Sequence, residues 1–342
     1  MSKFLVFDIV FYGTSLNYDG NSVGNTLELK KITKWDGKPY VLVSRYALRY
    51  SLLTWANQMY PDVFKLAGAD VLTTEKTTPQ LKNINKQIFE EYPEFDLFGF
   101  MITSTKSKKD EKSESKNLDV NVSRTSPVKI SHAVSLTPHH FDNHLSANLD
   151  MMKRAKGQLG QGSNLVNVEE KSDFYLYNVT FDVDRIGKYT KEEHGSEIIG
   201  DIILDREKII QRIELFVKTI FFAKRQIKGR LEDLSPVLAV VGLYNNGMYD
   251  SYLNRISLSQ SKKYKVKTIE YENTDQSGRK IREIENIFDQ EERPKFIIYG
   301  NELNVVNEKE EIFKEVHNFL VSETTSKILV YKNPNLEVEF RK

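Results

Sequence analysis

The sequence predicts an α+β fold, a set of buried strands and two amphipathic helices interrupted by long polar excursions. Two observations carry this reading. KFLVFDIVFY (residues 3–12), FYLYNVTFDVDRIG (174–187) and SPVLAVVGLY (235–244) are apolar, β-branched and aromatic runs of strand length. VLVSRYALRYSLLTWANQMYP (41–61) and REKIIQRIELFVKTIFFAKRQI (206–227) instead repeat their apolar residues at helical spacing.

The elements follow in order. The first strand runs into GTSLNYDGNSVGN, a loop of turn-forming Gly, Asn and Asp. In the first helix Leu48, Leu52, Trp55 and Met59 recur on one side, Ser44 stands at the N-cap position and Pro61 stops it. Residues 61–103 mix short helical and apolar pieces and end in EFDLFGFMITS. KSKKDEKSESK (106–116) is a charged low-complexity run that cannot bury a core and reads as a loop. VKISHAVSLT (128–137) alternates as a strand, and residues 138–167 are a long excursion ending in glycines. The strand at 174–187, the helix with Ile209, Ile213, Phe216 and Ile220 on one face, and the strand at 235–244 follow. Without its insertions the order is βαββαβ, the split βαβ, ferredoxin-like arrangement also used by RNA-recognition-motif sheets. Beyond it come a strand pair around DQSG, the strand PKFIIYG, a helix around EEIFKEVHNFLVSE and the strand KILVYKN.

Composition excludes several classes of function. The formal net charge is +1, so any nucleic-acid binding must come from local basic clusters. There is no cysteine, which removes disulfides, thiolate metal sites and Cys nucleophiles. No signal peptide or membrane-length apolar stretch is read, and a cytoplasmic location is expected. GQLGQGS (157–163) has its glycines in the wrong order for a dinucleotide loop and no GK[ST] for a phosphate loop. His139, His140 and His144 lack the Cys or HExxH partners of a metal site and are expected on the surface or facing RNA. Asp182 and Asp184 read as strand-end solvation, and no Ser/His/Asp set stands out.

The basic clusters are the informative feature. Arg45 and Arg49 lie four apart at the flank of the first helix's apolar stripe. Lys224, Arg225, Lys228 and Arg230 crowd AKRQIKGR, where the second helix is expected to end and the chain to turn at Gly229. Helix C-termini attract cations, which accounts in part for Lys224 and Arg225 but not for Lys228 and Arg230. The strand segment NVSRTSPVKISH adds Arg124, Lys129 and His132, with Ser123, Ser126 and Ser131 as neutral phosphate donors.

SLNYDG, VSRYALRYSLL, DLFGFM, VSRTSPVKISHAVSL, YLYNVTFDVDRIG and FFAKRQIKGRLEDLSP resemble, in order, the landmarks of the CRISPR-associated Cas-seven family of the RAMP superfamily. The resemblance is to the type I-B, DevR subgroup and covers most of residues 3–245, with RTSPVKISHA and DLFGFM its most specific parts. It implies a hand-like subunit: an RRM-like palm (1–60, 123–137 and 173–342, the last with a C-terminal elaboration), a fingers insertion (61–122) and a thumb excursion (138–172). It further implies a non-catalytic backbone subunit of a Cascade surveillance complex, without cofactor or metal. Such a subunit polymerises along CRISPR guide RNA and meets target DNA through the guide. Expected partners are the guide, copies of the chain itself and other Cascade subunits. By the same resemblance Asn17, Ser44, Arg45, Arg49, Arg124, Ser126, Lys129, Lys224, Arg225 and Lys228 contact RNA; His132 and Arg230 join them from the residues alone. Many relatives carry a basic residue where this chain has Tyr18, whose ring is suited to stacking on a base. The alternative is a metal-dependent ribonuclease of the same superfamily, with Asp142 or Asp150 of the thumb as the acidic residue. A guide-processing endonuclease would need a glycine-rich loop near the C-terminus, and no glycine follows Gly300. No helix-turn-helix pattern supports a direct transcriptional regulator.

Overall fold

The computed structural model describes residues 2–20, 25–75, 78–102, 122–146, 154, 166–195, 199–259, 265–274, 280–289, 295–301, 303–322 and 325–342. It is a mixed α+β protein that divides into two compact units, Met1–Leu253 with Glu302–Lys332, and Asn254–Asn301 with Asn333–Lys342.

The first unit is built on β1 (Phe4–Thr14), β2 (Lys31–Thr33), β3 (Pro39–Val43), α1 (Arg45–Met59), β4 (Val128–Ile130), β5 (Ala133–Ser135), β6 (Ser172–Asp182), α2 (Arg206–Phe222), β7 (Lys224–Ile227), β8 (Arg230–Asp233), β9 (Leu238–Tyr244), β10 (Leu303–Val306), α3 (Lys309–Val321) and β11 (Lys327–Lys332). The main sheet runs β10-β11-β9-β1-β6-β5-β3-β2, and β4 also pairs with β6. β1 lies antiparallel between β6, from Phe4↔Asp182 to Thr14↔Ser172, and β9, from Phe4↔Tyr244 to Val10↔Leu238. Its alternation places Leu5, Phe7, Ile9 and Phe11 on one face, in a core with Leu48 and Leu52 of α1, Phe216 and Ile220 of α2, and Val316 and Phe319 of α3. Phe7 meets Phe181 and Phe221 edge-on. Each such buried ring stabilises the fold by about 1.5–3 kcal/mol relative to an exposed one.

Two elements differ from the sequence expectation. VKISHAVSLT is not one strand. Ile130 pairs with Val179 but Val134 pairs with Leu176, so four steps on one side oppose three on the other. That extra residue is a β-bulge at Ser131–Ala133, and it leaves His132 exposed. AKRQIKGR is not a helix end either. α2 stops at Phe222, and Lys224–Ile227 pairs with Arg230–Asp233 as a hairpin. Lys228 and Gly229 form its two-residue turn at φ 46° and 80°, the pattern of a type I′ turn. The helix-dipole explanation for Lys224 and Arg225 therefore falls away.

The insertions have their own order where they are described. Lys86–Glu91 and Pro93–Phe98 are short helices, and Phe100–Ile102 pairs with Val122–Arg124. Asp142–Ser146 pairs with Val166–Glu170, which runs parallel to Thr26–Leu27. The lysine-rich run at 106–116, the glycine segment at 157–163 and Asp150 lie outside the described residues. The sequence pattern alone does not divide the C-terminal region. In the structure β10, α3 and β11 extend the main sheet. The second unit contains the strands Ile256–Ser259, Lys295–Tyr299 and Glu337–Arg341, and the hairpin Lys265–Thr274 with Lys280–Asp289, which flanks the predicted DQSG turn.

Candidate nucleic-acid interface

The N-terminus of α1 gathers three segments far apart in sequence. Ser44 caps the helix, its Oγ accepting from Ala47 N–H at 3.2 Å. Asn17 Oδ1 accepts from Ser44 N–H at 2.9 Å, and His132 Nδ1 accepts from Arg45 N–H at 3.0 Å. Asn17 is buried, so its role is to hold the loop against the helix start rather than to face solvent. Accepting this bond requires Nδ1 of His132 to be unprotonated. Partial burial, and secondarily the charge of Arg45, lower the pKa of the ring.

Arg45 and Arg49 project beside Tyr46, with their guanidinium carbons 4.9 and 5.8 Å from its ring centre. Arg49 is also 5.8 Å from the Phe98 ring. These side chains and Ser126, Val128, Lys129 and Ile130 line a groove of about 370 Å³. Lys129 is exposed on its rim. The lining combines aromatic and aliphatic side chains with three cations, a combination suited to a sugar-phosphate strand with its bases. Ser126 differs from the expectation of a phosphate donor. Its hydroxyl faces the carbonyls of Leu97 and Val128, at 3.1 and 2.5 Å, so its one proton is already engaged.

The hairpin β7–β8 adjoins this helix. Arg225 turns inward, donating to Ala47 O at 2.9 Å, Ser51 Oγ at 2.6 Å and Leu16 O at 3.2 Å, and so braces the hairpin and the 15–18 loop on α1. Lys228, exposed at the hairpin tip, lies 4.2 Å from the centre of the Tyr18 ring. Tyr18 OH donates to Glu170 at 3.3 Å, and Lys228 lies over its ring. Arg230 stands between Glu170 at 3.8 Å and Glu232 at 3.7 Å, which offset its charge. Lys224 lies 6.0 Å from the Trp55 ring.

Arg124 is the clearest correction. Its guanidinium is fully buried and every nitrogen is used: Nε donates to Asp96 O, Nη1 to Lys188 O and Glu193, Nη2 to Asp96 Oδ1 and Arg185 O. Asp96 also takes Arg212 at 2.6 Å and the N–H of Gly187. A charge so paired has no donor left for phosphate. It locks the strand against DLFGFM, whose Gly99 has φ 73° and sits where a Cβ would be 2.1 Å from Arg124 O. His139 is a second correction: it is buried, 3.8 Å from Glu169, and does not face solvent.

The structure thus brings together Asn17, Ser44, Arg45, Arg49, Ser126, Lys129, His132, Arg225 and Lys228, and directs Arg45, Arg49, Lys129, His132 and Lys228 outward. Sequence reasoning missed Tyr46, Tyr50 and Phe98. Tyr46 and Tyr50 are exposed at a spacing of four beside the two arginines, a pattern present in the sequence. Phe98 required the tertiary fold.

A family model described as CRISPR-associated negative auto-regulator DevR/Csa2 matches residues 5–267. The chain belongs to this family. Every residue of the candidate interface, from Asn17 to Arg230, lies inside the stretch matched to DevR/Csa2. Chains of two solved structures are also similar. One, from a structure titled "CRISPR RNA-guided surveillance complex", has 12% identity, a TM-score of 0.43, and coverage of 73% of this chain and 73% of that one. The other, titled "CRISPR RNA-guided surveillance complex, pre-nicking", has 11% identity, a TM-score of 0.43, and coverage of 73% and 79%. No curated protein matches this DevR/Csa2 chain.

Proposed function

We propose that the protein is a non-catalytic guide-RNA-binding backbone subunit of a type I-B Cascade surveillance complex. Copies of it line up along the guide, which pairs with target DNA while protein holds the backbone. The antiparallel order β9-β1-β6 with β4 and β5 beside β6 supports reading these strands as a ferredoxin-like palm. On that reading residues 61–122 are the fingers and 138–172 the thumb. The carrying observation is the groove beside α1, where Arg45, Arg49 and Lys129 surround Tyr46 and Phe98. Lys228 extends the cations from the hairpin side. Membership of a CRISPR-associated family supports the same assignment. Other Cascade subunits are the further partners this role requires.

Binding of a single-stranded RNA at several salt concentrations tests the proposal. Each phosphate contact contributes about 0.7 to the slope of log K against log salt on single strands. The combined variant R45A/R49A/K129A should bind at least tenfold more weakly at moderate salt and lower that slope by about 2. An unchanged slope would remove the groove from the interface.

A further inference from the structure

Between β2 and β3 the chain turns through Lys34, Trp35, Asp36 and Gly37, and the Trp35 side chain is 97% exposed. It is the most exposed large apolar side chain among the described residues, and its indole presents a bare ring face on which a base can stack. The turn is held firmly. Gly37 N–H donates to Lys34 O at 3.0 Å, Lys34 N–H to Lys38 O at 3.2 Å, and Gly37 has φ 73°. The Asp36 carboxylate is drawn into the turn by Tyr40 OH at 2.8 Å and Lys38 N–H at 3.1 Å. The one acid of the turn is thus hydrogen-bonded within it. Lys34 packs its ammonium 3.9 Å from the Tyr40 ring and donates to Ser135 O, and Lys38 is exposed.

We propose that Trp35 is a second nucleic-acid contact, a platform on which one unpaired base of the bound strand stacks. The inference rests on the guide-binding reading and extends it. Two observations favour a nucleic acid over a protein as occupant. The turn carries Lys34 and Lys38 against Asp36 alone, a net positive charge that complements phosphate. The hairpin is also continuous with the groove: β3 leads from the turn into Ser44 and Arg45, a rise of about 13 Å over its four residue steps. A strand leaving the groove along β3 reaches the indole within a few nucleotides. Stacking accepts any base, so the contact adds affinity without sequence preference.

The chain has two tryptophans, and replacing the other, Trp55→Phe, isolates the signal of Trp35. In that background, single-stranded RNA should quench the fluorescence in a saturable titration, and a duplex of equal length should quench much less because its bases are already stacked. W35A should weaken single-strand binding about tenfold while leaving the salt slope unchanged, and W35F should recover part of the loss. RNA binding without quenching, or with wild-type affinity in W35A, overturns the inference and leaves the groove proposal standing. So does a W35A variant that binds RNA normally but loses self-association, which would make the turn a protein contact. Failure of RNA to bind at all, with the charge variants silent too, overturns both.

Discussion

His132 joins two demands on one ring. Its neutral Nδ1 accepts the Arg45 N–H, yet its place beside Arg45 puts it where phosphate charge is expected. Burial, then the Arg45 charge, holds its pKa below the ordinary 6.5. As pH falls below 6.5 the unfolded chain takes up this proton first. The contribution of the ring to stability is therefore complete above 6.5 and is lost as pH falls toward the folded value. NMR titration should show a midpoint below 6.5 in the free protein, rising in Arg45→Ala and rising again when RNA binds. A midpoint indifferent to RNA would take His132 off the track. The sequence made the outward cations legible, because Arg45, Arg49, Lys129 and Lys228 are charged residues in clusters. It did not distinguish them from Arg124, Arg225 and Arg230. That distinction depends on Asp96, on the carbonyls of Ala47 and Leu16, and on Glu170, all remote in sequence.

At the scale of elements, the buried cluster around Asp96 joins four pieces: the helix Pro93–Phe98, the strand Val122–Arg124, the 185–193 segment and α2. Asp96 faces both Arg124 and Arg212 with almost no exposure among the three side chains. Asp96→Ala removes the carboxylate shared by two buried cations, leaving Arg124 with Glu193 and Arg212 with backbone carbonyls, and should cost about 3–5 kcal/mol in denaturant unfolding. Arg124→Lys should also lower stability while leaving the salt dependence of RNA binding unchanged, and a changed slope would return Arg124 to the interface. Period and apolarity made β1, β6, β9, α1 and α2 legible, since each buries a regular face. The bulge at Ser131–Ala133 and the turn at Lys228–Gly229 were hidden. The bulge falls on polar Ser131 and His132 and so interrupts no apolar run, and Lys at positive φ breaks the usual Asn-Gly or Asp-Gly pattern of a type I′ turn. The division of the C-terminal region was hidden for a different reason. Its strands pair across long sequence gaps, Lys295–Tyr299 with Glu337–Arg341 among them.

For the whole molecule, a net charge of +1 with an outward cationic track among the described residues suits a subunit that grips RNA and still packs beside its own copies. A strongly basic protein would repel its neighbours as the array grows. Assembly along a guide is read directly from the mass and nucleic-acid content of complexes formed on RNAs of increasing length. Light scattering after size separation, with absorbance at two wavelengths, reads both. Assembly of this kind means that protein mass rises in single-subunit steps at a fixed increment of RNA length, and that high salt dissolves the array. A complex that stays at one subunit whatever the RNA length, or a protein that carries no RNA at any length, would contradict it.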